Sequence, residues 1–232
     1  MIQSFTNNTN INEVETIMTP MKEDYLKLIF EIGGGSQKVS NKQIAISLDI
    51  AAGSVTEMVT KMAAEGLVEH EPYAGISLTE TGAKLAVELV RKHRIWETFL
   101  VSELKYALPD IDDDAEKLEH VTSTKLLNAL DDLLGHPKRC PHGGVIPDRN
   151  GHYEEDSHRI LNDVKDGETV VVDRFIDNRD LLNYLGDIKL DLGDQLQVIK
   201  HDSFEGPILV ENLTDDSELS IGYKAAHYIF VK

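Results

Sequence analysis

The sequence predicts a mainly α-helical chain with a small β part: an N-terminal winged helix-turn-helix, a helical middle segment and a C-terminal β-barrel domain. Three observations carry this. Two short amphipathic segments flank a tight turn and are followed by a hairpin pattern at 67 to 78; a long segment from Thr79 is apolar nearly all round; and residues after 151 alternate with the period of strands. The 232 residues suffice for a sizeable core. The expected division is a flexible tail at 1–17, a winged helix-turn-helix at 18–82, a helical segment at 83–150 and a last domain at 151–232.

Residues 1–17 are rich in Asn and Thr and suit a frayed tail, with Met18-Thr19-Pro20 offering an alternative translation start. Thr19-Pro20 supplies an N-cap and a proline at the first helical position. Tyr25, Leu26, Leu28, Ile29 and Ile32 then form an apolar face before Gly33-Gly34-Gly35. Ser40 and Gln43 have capping-box spacing and open a short helix with Ile44, Ala45 and Leu48 inward. After the connection Asp49 to Gly53, the residues Val55, Met58, Val59 and Met62 recur at helical spacing until Gly66. Leu67 to Glu71 and Gly75 to Leu78 read as strands around Pro72-Tyr73-Ala74. In a winged helix the outward face of the second helix, with Ser54, Thr56, Glu57, Thr60 and Lys61, would enter a DNA major groove; a merely solvated face is the competing reading.

Thr79 caps a helix reaching to about Leu104. Ala83, Ala86, Val87, Val90, Val101 and Leu104 share a stripe with His93 and Glu97, and Leu85, Leu89, Trp96 and Phe99 form a second apolar face. Burial by a core and by a partner subunit would account for both faces. A carboxylate on an apolar stripe is costly unless paired or bound to a metal, and i, i+4 spacing lets His93 and Glu97 reach one ion. On the next helix, from about Asp112, Glu116, Glu119 and His120 fall within an arc of roughly 100°. Oxygen and imidazole donors suit Mn²⁺, Fe²⁺ or Zn²⁺; ion pairing with Lys117, Arg91 or Lys92 is the alternative. Cys140 and His142 form a third pair in a Pro/Gly-rich loop, needing further ligands that His93 and Glu97 could supply.

The polar stretch Asp148-Arg149-Asn150-Gly151 suits a linker. Beyond it Thr169 to Asp173, Gln195 to Ile199 and Ile208 to Asn212 read as strands, with a helix near Asn178 to Leu185. Net charge is −18, of which −10 lies in residues 153–232 and only −3 in each of 18–86 and 87–152. That argues against a constitutive nucleic-acid binder but permits a conditional one, with the acidic last domain kept away from DNA or folded against the metal loop. One cysteine points to a reducing compartment, and no signal peptide or membrane-length apolar run is present, so a cytoplasmic protein with no membrane association is expected.

Several pieces resemble, in order, the iron- and manganese-dependent metalloregulators of the diphtheria toxin repressor and manganese transport regulator family. They are Glu-Asp-Tyr-Leu at 23–26, Ser-Val-Thr-Glu-Met at 54–58, Glu-Gly-Leu-Val at 65–68, Leu-Thr-Glu-Thr-Gly at 78–82, Arg-Lys-His-Arg at 91–94, Glu-His-Val at 119–121 and Cys-Pro-His-Gly at 140–143. The resemblance covers nearly all of 18–232 and implies a metal-activated repressor that binds operator DNA as a homodimer and controls metal-uptake genes, with an SH3-like (FeoA-like) last domain. It implies one metal site from Asp24, Glu116, Glu119 and His120, and a second from Glu97, Cys140 and His142 with Asp177 lent by the last domain; His93 belongs to either. The DNA-facing set becomes Ser40, Ala51, Gly53, Ser54, Thr56, Glu57, Thr60 and Lys61, with Ala51-Ala52-Gly53 where relatives often carry Ser and Pro. Lys27 stands where some manganese-type relatives have a further carboxylate, so a two-manganese cluster is not expected. Iron-type relatives carry sulfur ligands in place of Asp24 and Glu116, and the oxygen and imidazole set leans toward Mn²⁺ over Fe²⁺. Mutual repulsion of Asp24, Glu116 and Glu119 would free the head until a divalent cation drew them together. A metal-dependent hydrolase is the alternative, but the sequence has no HExxH pattern, nucleophile elbow or Gly-rich phosphate loop.

Overall fold

The computed structural model describes residues 18–33, 38–48, 50–71, 74–153 and 159–232; the expected tail at 1–17 and the turn residues Pro72 and Tyr73 lie outside them. Helix α1 (Pro20–Gly33) begins where Thr19 carbonyl oxygen accepts from the Lys22 and Glu23 amides at 2.9 and 3.1 Å. The capping box of α2 (Asn41–Ser47) forms as its spacing predicts, Ser40 accepting from the Gln43 amide and Gln43 reaching back to the Ser40 amide. Helix α3 (Ala52–Ala64) starts earlier than expected, so Ala52 and Gly53 belong to its first turn, with Ala51 as N-cap. It ends where Gly66 takes φ +72°, the left-handed conformation that lets Leu67 amide return to Met62 carbonyl at 2.9 Å.

Strands β1 (Val68–Glu71) and β2 (Gly75–Leu78) pair antiparallel as the wing. Val39 adds a short third edge by exchanging two backbone hydrogen bonds of 2.8 Å with Ile76, a pairing too brief to leave a sequence pattern. Tyr25, Leu26, Ile29, Ile44, Val55, Val59, Met62 and Ile76 form the head's core. Leu28 and Ile32 are only half-buried, and Phe30 takes the interior place instead.

Helix α4 (Glu80–Ser102) joins the head to the rest. Ala86, Val87, Leu89 and Val90 belong to the head's core, whereas Ile95 and Leu100 pack in two further clusters against α6 (Thr124–Leu133) and α5 (Asp112–Val121). It stops at Ser102, short of the expected Leu104, whose side chain is 53% exposed. Buried Asp131 on α6 accepts from Arg91 at 3.0 Å and Arg149 at 2.9 Å. Burial opposes its ionisation, but hydrogen bonds from Arg149 and His136 and the Arg91 charge hold its pKa below the usual range. A lowered folded-state pKa means that its stabilisation is complete above the unfolded value near 3.9 and is lost as pH falls through the folded value. Asp131→Asn is expected to cost about 2–3 kcal/mol at pH 7, because Arg91 stays buried with a weakened partner, and much less near pH 2. Chemical denaturation at the two pH values measures the difference.

The C-terminal domain holds β3 (Thr169–Phe175), α7 (Arg179–Asp187), β4 (Gln195–His201), β5 (Ile208–Asn212), β6 (Ser217–Ile221) and β7 (Ile229–Val231). Its antiparallel sheet has the order β6-β5-β4-β3-β7. Sequence alternation marks only β3, β4 and β5; β6 is largely polar and β7 has three residues. The domain folds against the Cys140 loop, where Phe175 amide donates to His142 carbonyl at 3.0 Å, and against the segment before α5, where Arg179 reaches Asp110 at 3.1 Å. Among the described residues, no helix is long and apolar enough to cross a membrane.

Candidate metal centre

Helix α1 and helix α5 both pack on α4, and side chains of α1 reach across so that Asp24 meets the three residues that α5 presents at i, i+3 and i+4. One donor atom from each of Asp24, Glu116, Glu119 and His120 falls within 4.8 Å of all the others. His120 Nε2 is 3.2 Å from Asp24 Oδ1, while its Nδ1 is 2.5 Å from Glu23 Oε2. With Nδ1–H donating to Glu23, Nε2 is left as the electron pair facing the cluster, the outer-shell arrangement that orients a ligating imidazole. Burial, then repulsion from Glu116, pushes the Asp24 carboxyl up to about 6, and its Oδ1 is buried without a hydrogen-bond partner. Glu119 is 0% exposed. A fully buried carboxylate is tolerated only with cations around it.

The second cluster brings together Glu97 of α4 and Cys140 and His142 of the loop after α6, again within 4.8 Å; Asp177, on the loop after β3, joins Glu97 and His93 within the same limit. His142 Nδ1 lies 2.9 Å from Glu97 Oε1 and 3.6 Å from Asp177 Oδ1. His93 sits between the clusters, with Nδ1 2.5 Å from Glu119 Oε2 and Nε2 2.8 Å from Asp177 Oδ2 and 3.2 Å from Glu97 Oε1. Burial favours the neutral acid at Glu97, but the His93 and His142 imidazoles outweigh it and hold its pKa well below the usual value. Burial, then repulsion from Glu97, pushes Asp177 up to about 8, and burial with Glu97 nearby pushes the Cys140 thiol well up. Glu97 Oε2, His142 Nε2 and Asp177 Oδ1 are buried without hydrogen-bond partners. They border a cavity of about 20 Å³ lined by Glu97, Cys140, His142 and Asp177 among others, room for a body the size of one water or ion. Orphaned oxygen and nitrogen atoms around so small a space fit a borderline divalent ion.

Residues 79–148 match the family described as the iron dependent repressor, metal binding and dimerisation domain, and residues 18–76 match its N-terminal DNA binding domain. The chain belongs to the iron-dependent repressor family. Residues 160–232 match the FeoA domain. An HTH-type transcriptional regulator MntR of Oceanobacillus iheyensis is 32% identical over 120 residues, covering 52% of this chain and 81% of that protein. The solved structure of the manganese regulator SloR has a TM-score of 0.81 at 39% identity and covers 93% of this chain and 99% of its own. That of a manganese-dependent transcriptional repressor in complex with manganese has a TM-score of 0.80 at 37% identity, covering 90% and 98%. The family is one of metal-dependent transcriptional repressors, and no relative supports the hydrolase alternative.

All nine candidate ligands named from the sequence thus lie in two adjoining clusters, with His93 between them touching Glu119 on one side and Asp177 on the other. The alternative partners lie elsewhere: Arg91 pairs with Asp131, Lys92 with Glu88 and Lys117 with Asp114. Sequence reading missed Glu23 and Asp112, and marked Lys27 only as a departure from the family pattern, not as a cation inside the cluster. Asp112 Oδ1 is 3.8 Å from His93 Nε2, and it groups with His93 and Glu116. Lys27 lies three residues after Asp24 on the same helix face, which brings its ammonium to the same carboxylates. On the head, Ser40, Ala51, Gly53, Ser54, Thr56, Glu57, Thr60 and Lys61 are all exposed. The Thr56 and Thr60 hydroxyls donate to the carbonyls one turn back at 3.1 and 2.7 Å, Thr56 also accepts from Asn41 Nδ2 at 3.1 Å, and Ser40 hydroxyl serves the α2 cap.

Proposed function

We propose that this chain is a repressor activated by Mn²⁺, with Fe²⁺ as the alternative ion, that binds operator DNA as a homodimer and controls metal-uptake genes in the cytoplasm. The observation that carries the reading is the convergence of donors from α1, α4, α5, the Cys140 loop and the loop after β3, in a chain whose α3 also presents an exposed face. A bound divalent cation supplies two positive charges to sites crowded with carboxylates and lowers the charge opposing DNA approach. Asp24 rides on the first helix of the head, whereas Glu116, Glu119 and His120 ride on α5, so joint ligation pins the head to the helices behind it. Glu97, Cys140, His142 and Asp177 tie the C-terminal domain to α4 in the same manner.

Dimerisation is supported by apolar side chains that one chain leaves uncovered. Leu85, Trp96 and Phe99 on α4 are half-buried, and Val121, Leu126 and Leu133 around α6 are exposed. The set of carboxylates and imidazole in the first cluster favours Mn²⁺. The working division of the chain is a tail at 1–17, a DNA-binding head at 18–82, a metal-binding and dimerisation segment at 83–150 and an FeoA-like domain at 151–232. Fluorescence anisotropy with labelled operator DNA tests the switch: Mn²⁺ is expected to raise affinity by about 100-fold, the scale of a 3 kcal/mol coupling. Equal affinity with Mn²⁺ and with chelator would refute it.

A further inference from the structure

Lys27 is buried, and its ammonium reaches the Glu116 and Glu119 side chains of α5. It contacts Glu116, lies 3.0 Å from each Glu119 oxygen and stands 3.4 Å from His93 Nδ1. Glu116 and Glu119 are two of the four donors of the first cluster, so an ammonium and a metal ion draw on the same carboxylate lone pairs. Charge count points the same way. Asp24, Glu116 and Glu119 bring three carboxylates together, and the Lys27 ammonium already counters part of the charge that would draw a divalent ion. The carboxylate repulsion expected from the sequence is therefore not unopposed, because Lys27 joins α1 to α5 through the same side chains.

We propose that Lys27 is a built-in cation that competes with the divalent ion for Glu116 and Glu119 and so sets the metal concentration at which the first cluster fills. This rests on the reading of that cluster as a metal site. Two opposite charges within about 5 Å in a buried site interact strongly, so removing the ammonium strengthens the pull of the remaining carboxylates on a dication. The same removal leaves those carboxylates without a counter-charge when no ion is bound.

The test uses the full chain and titration with Mn²⁺, following free Mn²⁺ by electron paramagnetic resonance, alongside thermal melting in chelator. Lys27→Met is expected to bind Mn²⁺ at the first cluster at least tenfold more tightly and to melt at a lower temperature in chelator, with a larger rise on adding Mn²⁺. Lys27→Gln, which keeps a donor but no charge, is the companion should the first variant not fold, and Lys27→Arg is expected to restore near-native affinity. A folded, uncharged variant that binds Mn²⁺ no more tightly than the native chain overturns the proposal while the metal site stands. Equal numbers of Mn²⁺ ions on the native chain and on Glu119→Gln overturn both.

Discussion

Glu119→Gln is expected to remove the metal response of operator binding while the chain stays folded. Glutamine keeps the shape and one acceptor oxygen but loses the charge that makes a carboxylate a ligand for hard and borderline cations. Loss of an outer-shell partner typically costs 10- to 100-fold in metal affinity, and Glu119 belongs to the inner cluster, so a loss of at least about 100-fold in Mn²⁺ affinity is expected. The fold tolerates the change because Lys27 keeps Glu116 and His93 keeps Asp177 and Glu97. The cost in stability is expected to be about 1–3 kcal/mol, from weaker hydrogen bonds to two buried cationic groups. Circular dichroism and Mn²⁺ titration separate the two effects, and a variant with native affinity would remove Glu119 from the site.

Gly143→Ala is expected to dismantle the second cluster and leave the first in place. Gly143 follows His142, takes φ +86° and backs onto β3 so closely that a β-carbon there would lie 2.4 Å from Asp173 carbonyl oxygen. The left-handed backbone alone costs an alanine about 1–2 kcal/mol, and the overlap with a backbone atom forces the loop away from the strand. That contact, with the Phe175 amide to His142 carbonyl bond, keeps Cys140 and His142 in register with Asp177, four residues beyond Asp173. Substitution with Co²⁺ gives a direct readout, since a thiolate bound to Co²⁺ absorbs in the near ultraviolet. The Cys140-dependent band is expected to vanish in Gly143→Ala while one equivalent of metal still binds through Asp24, Glu116, Glu119 and His120. A native band would show that the loop does not need the close approach.

Much of the head was legible because its signals are local. Pro20 at the first helical position, the Ser40 and Gln43 pair, Gly66 and Thr79 each fix a helix end through groups within a turn of one another, and the structure places them as their chemistry requires. The i, i+3, i+4 arrangement of Glu116, Glu119 and His120 is likewise a property of one helix. What failed was short or context-dependent: the Val39 bridge, strands β6 and β7, and the last residues before Leu104, where a helix end depends on what packs beyond it.

From its residues alone, then, the chain determined a winged head, a long buried helix and three donor groups of metal-binding chemistry. Tertiary packing decided which of these groups lie together. Lys27 meets Glu119 across 92 residues, His93 meets Asp177 across 84 and His142 meets Glu97 across 45. Helical periodicity places a side chain on a face, but only the docking of α1 and α5 on α4 and of the C-terminal domain on the Cys140 loop sets which faces meet, and with them the balance of buried charge.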